Sequence, residues 1–197
     1  MLPSNAPATY PIPGLFLSPD DRLPSSLVDY ERGGVAINDP SFGLDVQDWT
    51  CWYESLEVRV APADGPRETL FTRAGINHLS FAFDQNMRPT VVFIEGETTY
   101  LWWYDSTVPG HVFTSFGTGI TSPRVAMDDR RALSSSSSDV IFAYIRYDAG
   151  TSSYALCYRQ QRDRYTVERV LRTGLSERTR LKNIGMSANL RFQFELA

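Results

Sequence analysis

The chain has only two cysteines and two histidines in 197 residues. Two cysteines build neither the disulfide framework of a small secreted scaffold nor a thiolate zinc site. His78 and His111 have neither metal-ligand spacing nor a nucleophile motif beside them, which removes the sequence signature of a histidine triad. No apolar run approaches membrane-spanning length, and the amino terminus has no basic stretch leading into an apolar one. No membrane contact is therefore expected, and the expected route is synthesis and folding as a soluble protein in a cytoplasm. A glycine-rich phosphate loop is also missing, and no cofactor is expected. Lys and Arg total 19 against 23 Asp and Glu, a formal net charge of −4, so a nucleic-acid partner held through phosphates is not expected. Arg159, Arg162, Arg164, Arg169, Arg172, Arg178 and Arg180 are a local exception. Asp163, Glu168 and Glu177 lie among them, and a solvated charged strand face is the simpler reading than a polyanion site.

Aromatic residues are abundant. Eleven Phe, ten Tyr and four Trp favour strands over helices, and residues 79–106, LSFAFDQNMRPTVVFIEGETTYLWWYDS, show how. Leu79, Phe81 and Phe83 alternate with Ser80, Ala82 and Asp84, the period of a half-buried strand. The link 85–89 is a turn, because Asn accepts left-handed backbone and Pro89 cannot donate to a ladder. Residues 90–94 return as an apolar strand, 95–97 turn again, and 98–104 form a third strand. Residues 111–116 supply a fourth after Pro109-Gly110.

The same order returns from Pro123, with strands predicted at 124–128, 140–147, 153–160 and 164–171. Asp84 and Asp128 close the first strand of each unit, an offset of roughly 44 residues that is typical of propeller blades. The second unit's first link is longer and carries five consecutive serines, Ser134 to Ser138, read as a solvated loop tip. Upstream, 49–61 and 68–73 read as a two-stranded hairpin with Leu56, Val58 and Val60 on one face. A terminal hairpin from 180–186 and 190–196 is expected to pair with it, closing the sheet head to tail so that neither edge stays open. The expected fold class is all-β, with antiparallel blade-like sheets forming a partial β-propeller or β-sandwich.

Residues 1–48 differ in kind. Seven prolines interrupt them, so they read as an extended arm with one short helical turn at 25–31. Residues 49–197 then form the all-β domain. Tyr10, Ile12, Leu15, Phe16 and Leu17 give the arm apolar anchors for another surface, its own domain or a neighbouring subunit. Cys51 and Cys157 each sit in an aromatic strand pattern, where a small buried hydrophobe is the simple role and a disulfide between them the alternative. The strand-end residues Asp84, Asp105, Asp128 and Asp148 are expected to cap their own turns; a carboxylate pair for glycoside hydrolysis would need a separation of about 5 to 9 Å. In the run Trp102-Trp103-Tyr104 alternate residues face opposite sides. One face is core, and the other is available for a subunit contact or for stacking on a glycan.

The pieces SFAFDQNMRPTVVFIEG, TTYLWWYDS and VIFAYIRYD resemble the repeats of sialidase-like (BNR-like) β-propeller proteins. Ser-x-Asp-x-Gly-x-x-Trp, the Asp-box of that family, is absent, as is an arginine triad for an acidic sugar. With the arm TYPIPGLFLSPDDRLP and the ending LKNIGMSANLRFQFELA, the whole chain resembles small virion structural proteins of tailed bacteriophages. That resemblance implies a non-enzymatic tail, baseplate or neck component, assembled in the host cytoplasm. Its implied partners are other virion proteins and further copies of itself, with a host glycan as the alternative partner.

Overall fold

A computed structural model describes residues 16–17, 33–37, 47–62, 65–84, 88–128, 139–186 and 192–197. The first sheet contains β1 (Phe16–Leu17), β2 (Gly33–Ile37), β3 (Gln47–Glu54), β4 (Glu57–Pro62) and β5 (Glu68–Thr72), hydrogen-bonded in that order. The second contains β6 (Ile76–Phe83), β7 (Pro89–Glu95), β8 (Thr98–Asp105) and β9 (Gly110–Gly117). The third contains β10 (Ile120–Asp128), β11 (Asp139–Asp148), β12 (Ser153–Gln160) and β13 (Arg169–Leu175), with a single 3-10 turn, Gln161–Asp163, between the last two. A two-stranded sheet of β14 (Leu181–Met186) and β15 (Phe192–Leu196) ends the chain. Every strand pairing is antiparallel, so the protein is all-β and built of blade-like sheets.

The four sheets lie in series, each apolar layer filled from two of them. Cys51, Val58 and Val60 meet Leu79, Phe81, Val91 and Phe93 between the first and second sheets. Val92, Leu101 and Trp103 meet Val125, Val140, Phe142 and Ala155 between the second and third. Ile141, Ala143, Ile145 and Leu156 meet Leu181 and Ile184 between the third and the terminal hairpin. The second and third sheets are thus covered on both faces. That explains why β11 reads VIFAYI with almost no polar interruption, the pattern of a strand with no solvent face. Strands β2, β6, β10 and β14 are neighbours in turn, as the inner strands of propeller blades are, and β1 touches β14.

The structure corrects the sequence reading in three places. Residues 49–61 are not one strand but most of β3 and most of β4, turned at Ser55 and Leu56, whose φ angles are 53° and 70°. Two successive left-handed residues make the tight turn that suits a right-twisted hairpin, and Leu56 at its tip is exposed instead of sharing a face with Val58. The terminal hairpin does not pair with the first sheet. It forms its own ladder, and its apolar residues Phe192, Phe194 and Leu196 pack on the third sheet. Strand β13 starts at Arg169, not at residue 164, because Arg164 and Tyr165 are both left-handed, at φ 52° and 56°, and carry the chain round after the 3-10 turn. The cysteines are as the simple reading has them, both free and buried, in different layers, filling core space without pairing. Tyr10, Ile12, Leu15 and the helical turn expected at 25–31 lie outside the described residues, as do Ser134 to Ser138. Phe16 and Leu17 form β1, in register with Val35 and Gly34.

Candidate functional site

One end of the second and third sheets gathers carboxylates. Strand β6 runs into Asp84, β8 ends at Asp105, β10 ends at Asp128 and β11 begins at Asp139. All four are buried, at 7%, 2%, 4% and 5% exposure respectively. Strand-end Asp residues accept from their own turns, as expected: Arg88 N–H donates to Asp84 Oδ1 at 2.9 Å, and Thr107 N–H donates to Asp105 Oδ1 at 2.9 Å. Asp148, at the opposite end of β11, accepts from Gly150 N–H in the same way.

Guanidinium groups at the 3-10 turn then engage two of the buried aspartates, Arg164 across to the second sheet and Arg162 within the third. Arg164 Nη2 lies 2.5 Å from Asp105 Oδ2, and Arg162 Nε lies 2.8 Å from Asp139 Oδ2. Gln161 donates to the Tyr104 carbonyl at 3.4 Å. Arg88 stands 4.0 Å from Asp84 and lies over the Tyr104 ring at 3.9 Å. Burial raises the Asp139 carboxyl above its ordinary value against the pull of Arg162, and Asp128 adds to the rise; the two aspartates are direct cross-strand partners. Asp105 is held below its ordinary value, because the Thr107 and Arg164 bonds together outweigh the larger single effect of desolvation.

A second network gathers on Glu168 from β11 and β12 of the third sheet. Tyr144 donates its hydroxyl to Glu168 in a short bond. Arg146 reaches the second carboxylate oxygen through Nε at 3.0 Å and Nη2 at 2.5 Å. Arg159 donates to Tyr144 Oη at 2.8 Å and to the carbonyls of Tyr165 and Thr166. Burial, followed by the Glu168 bond, pushes the Tyr144 phenol well up, which makes it a structural donor and no nucleophile. Cys157 is pushed up to about 11 by burial first, leaving its thiol protonated at neutral pH. The arginines read as a solvated face are therefore mostly employed within the chain; Arg169 pairs with Asp163 at 2.6 Å.

Trp102 and Trp103 are 8% and 3% exposed. Trp102 belongs to the layer against the first sheet and stacks on His111, while Trp103 belongs to the layer against the third and donates to Thr114. Both faces of β8 are core, so the surface contact expected of these indoles is not offered by either. His78 lies within β6. Its Nε2 lies 2.8 Å from the Pro123 carbonyl and 3.2 Å from Arg124 Nη1, joining β6 to β10.

That position sets a pH response. Burial lowers the His78 pKa, with the Pro123 bond opposing. The unfolded chain thus takes up its proton first. Stability is complete above the ordinary histidine value of 6.5 and is lost as pH falls below it. His111 is lowered as well and acts with the same sign. Thermal unfolding followed downward from pH 8 is expected to show this loss, and His78→Gln is expected to make it shallower.

Among the described residues, no three His, Cys, Asp or Glu side chains stand together to hold a metal ion. Comparison with protein-family models, curated proteins and solved structures finds no match to this chain.

Proposed function

We propose that the chain is a non-enzymatic assembly subunit of a tailed-bacteriophage virion, a tail, baseplate or neck component that docks on neighbouring subunits through its N-terminal arm. The observation that carries the reading is strand β13. It is the outer strand of the third sheet, and Val170 and Leu171 on it are 51% and 45% exposed, with Val167 just before it at 46%. An outer strand presents unpaired backbone donors and acceptors, and apolar side chains on it favour pairing with another chain. Among the described residues the last sheet has two strands where its two predecessors have four. The ion pairs at the candidate site support a holding role over a chemical one, because the arginines there are spent on carboxylates of the same chain. The glycan alternative, which drew on Trp102, Trp103 and the loop around Ser134 to Ser138, has both indoles buried, and that loop lies outside the described residues.

Light scattering tests the proposal on the full chain and on one beginning at Gly33, a cut that keeps β2 in the first sheet. The full chain is expected to be multimeric and the shortened one to have the mass of a monomer. Equal masses for the two, or a monomeric full chain, would overturn docking through the arm.

A further inference from the structure

The outer strands of the four sheets, β5, β9, β13 and β15, are not alike as edges. β5 and β15 each meet their neighbour with a register shift and expose a glutamate, Glu68 and Glu195. β13 meets β12 with two register shifts and carries Arg169 and Arg172. Bulges and charges of this kind discourage an edge from pairing with its own copy. β9, GHVFTSFG, has no charged residue and no proline. Its pairing with β8 runs without a shift from Tyr100↔Ser115 to Asp105↔Gly110, so its free edge is regular over the same stretch. Among the described residues β8 is its only strand partner.

The side chains of β9 also suit a second β9. In an antiparallel pair about a two-fold axis normal to the sheet, the residue on the axis faces itself and the others pair symmetrically around it. With Phe113 on the axis, Val112 opposes Thr114, His111 opposes Ser115 and Gly110 opposes Phe116. β-Branched side chains then face each other, an aromatic ring covers a glycine and no like charges meet. Phe113 is 46% exposed even though its ring meets Phe71 edge to face at 5.2 Å. A second Phe113 across the axis covers the part left open.

We propose that two copies of the chain meet β9 to β9 about a two-fold axis at Phe113, joining their second sheets into one of eight strands. The inference rests on the assembly reading, because six residues a side are few against the about 20–30 of a stable interface. The contact orients copies that the arm holds together and does not hold them alone.

Cross-linking in the full chain tests the axis. Directly opposed residues have Cα atoms about 4.5–5.5 Å apart, inside the disulfide range of about 4.4–6.8 Å. Cys51 and Cys157 are both buried, so an introduced thiol is the one that reacts. Under oxidised glutathione, Phe113→Cys is expected to give a covalent dimer. A mixture of His111→Cys and Ser115→Cys chains is expected to link too, whereas neither variant links alone, because each position lies about 13 Å along the strand from its own copy. Light scattering on the same samples before oxidation reads arm docking separately. A multimeric full chain in which Phe113→Cys and the mixture both stay unlinked overturns the β9 contact and leaves arm docking standing. Linking by His111→Cys or Ser115→Cys alone overturns the axis at Phe113. A monomeric full chain overturns both readings.

Discussion

Phe142→Ala is expected to lower the unfolding free energy by about 4 kcal/mol, the usual range for emptying a buried aromatic position being about 3–5. Phe142 is fully buried in the central layer. Its ring lies 4.8 Å from that of Phe116 and 4.7 Å from that of Tyr144, centroid to centroid. Those neighbours are fixed from elsewhere, Phe116 by β9 and Tyr144 by its Glu168 bond, so the space has little freedom to collapse. Against a total stability of about 5–15 kcal/mol for a domain, the loss is large. A fall of about 10 °C in Tm is expected. Denaturant unfolding checks it: the midpoint should drop with little change in slope, and a shift under about 1 kcal/mol would mean that the layer repacks.

Glu168→Ala is expected to cost about 3 kcal/mol. Its carboxylate is the shared acceptor of Tyr144, Arg146 and Arg159, all partly or fully buried. Removing it leaves the Tyr144 phenol without its acceptor and two partly buried guanidinium groups with only neutral acceptors, and unpairing such groups is costly. Glu168→Gln keeps the shape and one acceptor, so a smaller loss is expected. The double variant with Arg146→Met should recover part of the Ala loss, because one orphaned charge is then gone; additive losses would show that the residues do not act as a unit. Glu168 is held below its ordinary carboxylate value by Arg146 and Tyr144 against burial. Its contribution is therefore present above that ordinary value and disappears as acid protonates it.

The strands of the second and third sheets were legible because their signals are local. Alternation in 79–83, proline and asparagine in the following link and Gly96 at the next turn, where φ is 61°, each point to one conformation. The missed turn at Ser55 and Leu56 had no such signal. Neither residue favours positive φ, and the turn holds because the ladders on both sides of it impose it. Arg164 and Tyr165 misled for the same reason, their left-handed backbone being held by bonds from Arg164 N–H to Gln161 O and from Tyr165 N–H to Gln160 O. Trp102 and Trp103 misled differently. Period two correctly places them on opposite faces, but it does not say that a sheet covers each face.

The candidate site was half legible. Asp84, Asp105 and Asp128 stood out as strand ends, whereas Asp139, Arg162, Arg164, Tyr165 and Glu168 had no motif to mark them. They meet across separations of up to 59 residues, and a single sequence has no signal for pairs that distant. What the sequence determined by itself was the material of the fold: strands, turns and the four-strand unit, all consequences of backbone and side-chain preferences over a few residues. Only the tertiary structure decided which faces are covered, that the ends of the chain do not share one sheet and which arginine neutralises which carboxylate. Those depend on how sheets stack, and stacking is set by burial summed over whole surfaces.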